Sequence, residues 1–261
     1  MNVVIFSKDR AMQLELLLRS IQMFFINYED SDISIIYTYS NNDYKASYKK
    51  LVKMYPEFDF KLEYNFKQQL CDVIYDEPYT VFFTDDAVFK SKFDIDEIDK
   101  EFHDNICALS LMLGKNINYA YEEEREIKQP QFYYPYPPTH FRLAWDWKSA
   151  DIDFNYPMSV IGCIWRTKDI KPKLLELDYD KAWNVESALK SSPIDKSKMT
   201  CYKESKVVHI ANNVVSPCGN KSGGGDVEIL NKKFLNGERI VWKKINNNSV
   251  HFEWEYKFER K

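Results

Sequence analysis

Across the first 90 residues, four short apolar runs alternate with segments of helical periodicity, and this alternation limits the fold more than any other feature. "NVVIF" (2–6), "ISIIYTYS" (33–40), "FKLEYNF" (60–66) and "YTVFFT" (79–84) read as strands, rich in β-branched and aromatic residues. After the first run, Ala11, Leu14, Leu17, Leu18, Ile21, Phe24 and Phe25 recur at helical spacing, an amphipathic stripe with Ser7 or Asp9 available as its cap. "NDYKASYKKLVKMYP" is expected to be a second helix ending before Pro56, and "KQQLCDVIYD" a short third. A strand–helix series of this kind is most economically a parallel sheet with right-handed crossovers. Such sheets bind ligands beyond the carboxyl ends of their strands. Three polar clusters fall there: Ser7-Lys8-Asp9-Arg10, Asn41-Asn42-Asp43 and Thr84-Asp85-Asp86.

Beyond residue 90 the pattern loosens. "ICALSLMLG" is strand-like or short-helical, and "QPQFYYPYPPTHFRLAWDWKS" (129–149) reads as a Pro- and aromatic-rich loop. "MSVIGCIWRTKDI" is a strand entering a helix, "AWNVESALKSS" a helix and "KVVHIANNVVS" a further strand. No internal repeat or linker divides the chain, so a single large α/β domain over residues 1–240 is expected, with 241–261 as a C-terminal tail or edge strand. At 261 residues and 44% hydrophobic the chain can bury a full core.

Composition removes several functions. A net charge of −4 supplies no basic field, so nucleic acid is not an expected partner. Cys71, Cys107, Cys163, Cys201 and Cys218 are widely spaced without a C-x-x-C, which argues against a disulfide framework or a zinc ribbon and for a reducing compartment. "MNVVIFSKDRAMQ" enters a strand directly and no stretch of 18 apolar residues occurs, so neither signal peptide nor transmembrane segment is expected, and a cytoplasmic location is. The terminal "VHFEWEYKFERK" alternates aromatic and charged residues; it fits a solvated edge strand, with peripheral membrane contact as the alternative.

The acidic pair is the sharpest feature. Asp85 and Asp86 end an apolar strand, where two like charges repel and lose hydration. Either water solvates them, or something positive sits between them. A divalent cation would suit this position if the substrate carries a diphosphate leaving group.

"FFTDDAVF" resembles the DxD region of GT-A nucleotide-sugar-dependent glycosyltransferases, in a Thr-Asp-Asp variant. "IFSKDRAMQLELLLRSI" resembles the first strand and helix of family 2-like bacterial and viral members. The resemblance implies a GT-A, Rossmann-like fold with a mostly parallel central sheet flanked by helices. It makes residues 1–90 the nucleotide-binding half and 91–240 the acceptor half. It implies Mn²⁺ or Mg²⁺ on Asp86, with Asp85 near the donor ribose or the metal's waters. Ser7, Lys8 and Arg10 would lie near base and diphosphate, with Asn41 and Asn42 beside the base. A UDP-sugar donor and a glycan or lipid-linked saccharide acceptor are the expected partners. Ala87 stands where many relatives carry a third acidic residue.

His209 in "VVHIANN" is a candidate further metal ligand by the same resemblance, whereas His103 and His251 sit in polar sequence and His140 in the aromatic loop. "NKSGGGD" (220–226) is either a lid bringing Lys221 to the diphosphate or a plain surface loop. An acceptor hydroxyl needs a general base if configuration inverts, and Glu186 in "WNVES" is preferred, with Asp153, Asp151 and Asp146 as others. Tyr133, Tyr134, Tyr136, Trp145 and Trp147 form either an acceptor-sugar platform or core packing. Three rival readings persist. A dehalogenase-type phosphatase needs Asp-x-Asp, which Ala87 breaks; a sugar nucleotidyltransferase needs glycines that "SKDRA" lacks; and a non-catalytic glycan- or partner-binding domain could share the scaffold.

Overall fold

The computed structural model describes residues 1–98, 102, 104–134, 142–213 and 221–260. The strand–helix series forms as expected. Strand β1 is Asn2–Lys8, helix α1 Ala11–Phe24, β2 Asp32–Thr38, α2 Asn42–Met54, β3 Asp59–Leu62, α3 Phe66–Asp72 and β4 Tyr79–Thr84. After the acidic pair come β5 (Ala87–Phe89), β6 (Ile106–Ser110), β7 (Arg142–Asp146) and β8 (Cys163–Arg166). Helices α4 (Thr167–Glu176) and α5 (Ala182–Ser191) follow, then β9 (Lys198–Tyr202), β10 (Val207–Ile210), α6 (Val227–Leu235) and β11 (His251–Phe252).

Eight of these strands form one sheet in the order β7-β9-β6-β8-β4-β1-β2-β3. The pairs β4/β1, β1/β2, β2/β3 and β9/β6 are parallel, whereas β8 runs antiparallel to both β4 and β6, and β7 antiparallel to β9. Val3, Val4 and Ile5 of β1 are wholly buried, as a central parallel strand covered on both faces must be. A smaller sheet, β11-β10-β5, leaves the large one at the acidic pair. Its register sets Ala87 opposite His209, and His209 opposite His251. That small sheet positions the site.

Several details differ from the sequence reading. Helix α1 starts from Arg10 without a side-chain cap, because Ser7 and Asp9 are engaged by Asp85 and Ser40 instead. The strand within "FKLEYNF" stops at Leu62, since Asn65 caps α3 by accepting from the Gln68 N–H at 3.3 Å. The stretch 129–149 contains β7, and Trp145 and Trp147 lie in the core with their indole N–H groups on the Phe154 and Lys196 carbonyls, at 2.8 and 2.6 Å. They form no exposed platform; Tyr133 and Tyr134 are exposed, and Tyr136 falls outside the described residues.

The segment beyond residue 240 is packed against the body of the domain. Trp254 is buried, and its backbone is clamped by Asn212, whose Nδ2 donates to the Trp254 carbonyl (2.8 Å) and whose Oδ1 accepts from its N–H (3.1 Å). Asn212→Ala leaves two buried backbone groups unpaired, and a loss of about 2 kcal/mol is expected in urea unfolding; a change within experimental error would show the clamp to be redundant.

Candidate active site

The β1/β4 register pairs Phe6 with Thr84, so the residues that follow each strand emerge side by side. Arg10 therefore reaches back to the acidic pair. Its Nη2 lies 2.5 Å from Asp85 Oδ1 and its Nη1 2.7 Å from Asp86 Oδ2. The positive group between the two carboxylates is this guanidinium.

The two aspartates are held differently. Asp85 is sealed: its Oδ2 accepts from Ser7 Oγ at 2.7 Å and from the Lys8 N–H at 3.2 Å, and Ser7 Oγ also meets Tyr48 Oη at 2.6 Å. Burial pushes the Asp85 carboxyl up, Arg10 opposes that rise, and Asp86 adds to it. Asp86 faces the opening. Its Oδ1 accepts from Thr84 Oγ1 at 2.5 Å and its Oδ2 lies 3.0 Å from His209 Nε2. Burial would raise this carboxyl too, but Arg10, His209 and Thr84 outweigh it and hold Asp86 well below the usual carboxylate range. Of the two, Asp86 gives up its charge less readily.

Above this floor lies a cleft of about 1440 Å³, at the carboxyl ends of β1, β2 and β4. It takes in Lys8, Thr38, Tyr39, Ser40 and Glu63 on one side and Glu122, Asp153, Tyr156 and Lys221 on the other, with Trp183 and Glu186 from α5. Ser7, Lys8, Arg10, Asp85, Asp86, Asp153, Glu186, His209 and Lys221 all line it. Asn41 and Asn42 do not: Asn41 Oδ1 caps α2 by accepting from the Asp43 and Tyr44 N–H groups at 3.0 and 3.1 Å. The residues that reach the cleft after β2 are Tyr39 and Ser40, two positions earlier than the polar cluster suggested.

On the far side the candidate bases separate. Glu186 is partly buried, and both its oxygens are engaged, accepting from Tyr156 Oη at 2.9 Å and the Val160 N–H at 2.8 Å. Asp151 is paired with Arg125 at 2.7 Å and Asp146 with Lys198 at 3.2 Å, and neither lines the cleft. Asp153 lines it, and its Oδ2 is buried without a hydrogen-bond partner. Burial, then the charges of Glu123, Asp151 and Glu122, push its carboxyl up to about 7. Lys221 is exposed at the rim, where its ammonium pairs with Glu124 and its N–H donates to Glu122 at 3.0 Å.

Sequence alone gives His251 no special placement and does not single out Trp183, yet both line the cleft. His251 lies in ring contact with His209, Nδ1 to Nδ1 at 2.7 Å. Trp183, about half exposed, stands on the first turn of α5 at the cleft. His103 and His140 fall outside the described residues. Among the described residues no group of three or more His, Cys, Asp and Glu side chains is gathered to hold an ion. Asp86 and His209 offer one carboxylate oxygen and one imidazole nitrogen, a pairing that suits Mn²⁺ when substrate oxygens and water complete the shell. Also among the described residues, no helix is long and apolar enough to cross a membrane.

No family model matches the chain. It is 29% identical over 185 residues to the bifunctional glycosyltransferase pgtA of Dictyostelium discoideum, a match covering 65% of this chain and 24% of that protein. The chain thus spans about a quarter of that relative's length. Among solved structures, S. aureus TarS 1–349 in complex with UDP-GlcNAc covers 77% of this chain and 58% of its own, at 12% identity and a TM-score of 0.43. The mannosyltransferase PcManGT from Pyrobaculum calidifontis, in complex with GDP-Man and Mn²⁺, covers 44% of this chain and 36% of its own, at 11% identity and a TM-score of 0.33. Over the matched part the chain is similar to a glycosyltransferase, and its sheet carries a large cleft at the strand ends.

Proposed function

We propose that the chain transfers a sugar from a nucleoside-diphosphate donor, a UDP-sugar by preference, to a hydroxyl of a glycan or lipid-linked saccharide. The observation that carries this reading is the arrangement of Arg10, Asp86 and His209 on the floor of a large cleft at the carboxyl ends of parallel strands. The donor's diphosphate lies over this floor in our reading, with Lys8, exposed at the end of β1, supplying further positive charge. In this reading Tyr39 and Ser40, which line the cleft, meet the base or ribose. Asp153 takes the proton of the acceptor hydroxyl as it attacks the anomeric carbon. Glu186, with both oxygens engaged, shapes the wall through Tyr156 and Val160.

Asp86 and His209 are the residues that would hold Mn²⁺ or Mg²⁺. When bound, the cation supplies positive charge for the departing diphosphate. Arg10 shares the same carboxylate edge of Asp86, and this favours a second reading in which the guanidinium alone stabilises the leaving group.

A thermal-shift panel of nucleoside diphosphates and nucleotide sugars, with and without Mn²⁺, tests both. One nucleotide class is expected to raise the midpoint, more strongly with Mn²⁺, and Asp86→Ala to remove the metal-dependent part. A nucleotide shift indifferent to Mn²⁺ in the parent chain would favour Arg10 acting alone. A panel in which nothing shifts would remove the donor assignment.

A further inference from the structure

The contact between the two imidazoles is left unused by the chemistry above. The rings of His209 and His251 stand at 86°, with the two Nδ1 atoms 2.7 Å apart, while His209 Nε2 lies 3.0 Å from Asp86 Oδ2. Two ring nitrogens at that distance must share one proton, one donating and the other accepting. The small sheet fixes both rings. His209 and His251 are register partners on β10 and β11, and the His209 N–H donates to the Val250 carbonyl at 3.0 Å.

We infer that His251 is a positioning residue that determines which nitrogen of His209 carries the proton. If His251 Nδ1–H donates to His209, the His209 proton sits on Nε2 and points at Asp86. If His209 Nδ1–H donates to His251, Nε2 presents a bare lone pair beside Asp86. The change is balanced: His209 Nε2 gives up a proton to the cleft, the shared proton crosses from His251 Nδ1 to His209 Nδ1, and His251 Nε2 takes one from the cleft that it also lines. Only the second form can bind a cation or accept a substrate proton. A partner on the far nitrogen is the general means by which a ligating imidazole is oriented. The inference concerns the ring pair itself and rests on the proposed function only for what Nε2 then meets.

The test uses the full chain labelled with ¹⁵N-histidine, the His209 signals being assigned through His209→Gln. Three proteins are compared: the parent, His251→Phe, which keeps the ring bulk but removes the partner, and His251→Asn, whose carbonyl can still accept. In the metal-free parent, His209 should show a hydrogen-bonded Nδ1. In His251→Phe it should revert to the averaged pattern of a free imidazole, and Mn²⁺ affinity by electron paramagnetic resonance should fall about 10- to 100-fold. In His251→Asn the Nδ1–H form should predominate, with affinity within about 3-fold of the parent, taking 3-fold as the margin set against that 10- to 100-fold loss. An unchanged His209 pattern in His251→Phe would overturn the inference. If His251→Phe does not fold, a free-imidazole pattern in His251→Asn overturns it equally. A changed pattern with no Mn²⁺ binding in any of the three upholds it and removes the metal reading instead.

Discussion

Replacing Arg10 by Ala is expected to destabilise the fold by about 3–5 kcal/mol at neutral pH, the usual consequence of removing one partner from a buried ion pair. The guanidinium is 11% exposed, Asp85 1% and Asp86 6%, so water cannot take its place without opening the strand tip. Arg10→Lys should recover little, because a single ammonium cannot span Asp85 Oδ1 and Asp86 Oδ2 as the planar fork does. Neutralising the carboxylates should relieve the defect: Arg10→Ala in an Asp85→Asn, Asp86→Asn background should lose far less than in the parent, a coupling that a mutant cycle in guanidinium chloride measures directly. The same variant separates the two readings of the floor. If a cation can occupy this edge of Asp86, millimolar Mn²⁺ should stabilise Arg10→Ala more than the parent, since the competing guanidinium is gone. A loss under about 1 kcal/mol for Arg10→Ala would mean that the pair is solvated after all, as ordinary surface ion pairs are.

The strand–helix half was readable because a parallel strand buried on both faces carries a continuous apolar run, and β1 and β4 are such strands. The conflict at the end of β4 was also visible, but its resolution was not. Arg10 and Asp86 are far apart in sequence and meet only because Phe6 and Thr84 pair across β1 and β4. Arg10, expected near the donor's base and diphosphate, takes the two aspartates as its first partners while still lining the cleft. Asn41 misled for another reason: the side chain that would contact a base is the same one that caps a helix, and the local backbone claims it. The other half of the sheet uses strands of four or five residues without alternation, so β7 lay hidden among prolines and aromatics. His251 sits on a two-residue strand, too short for any periodicity to register, and only the register of the small sheet reveals its partner.

Asp153→Asn should combine a large loss of function with a gain of stability. As general base, Asp153 must be ionised, so transfer by the parent should rise with pH through about 7, and the variant should lose about 10²- to 10⁴-fold without that rise. Stability moves the other way. The folded carboxyl at about 7 lies above its ordinary 3.8, so the native state binds the proton more tightly than the unfolded chain. The stabilisation this provides is complete below about 3.8 and is lost as pH rises through about 7. At roughly 1.4 kcal/mol per pH unit, the loss approaches about 4 kcal/mol by pH 8. Asn has no charge to form, so its advantage over the parent should widen between about pH 4 and 7 and stay level beyond, as thermal midpoints across that range would trace. A functional carboxylate kept where burial and three acidic neighbours oppose its charge is what a stability–activity compromise predicts. Activity within about 3-fold of the parent, against the 10²-fold minimum expected, would free Asp153 of the role and return it to Glu186. Glu186 lines the same cleft, and each of its oxygens keeps a second lone pair beyond the bonds to Tyr156 and Val160.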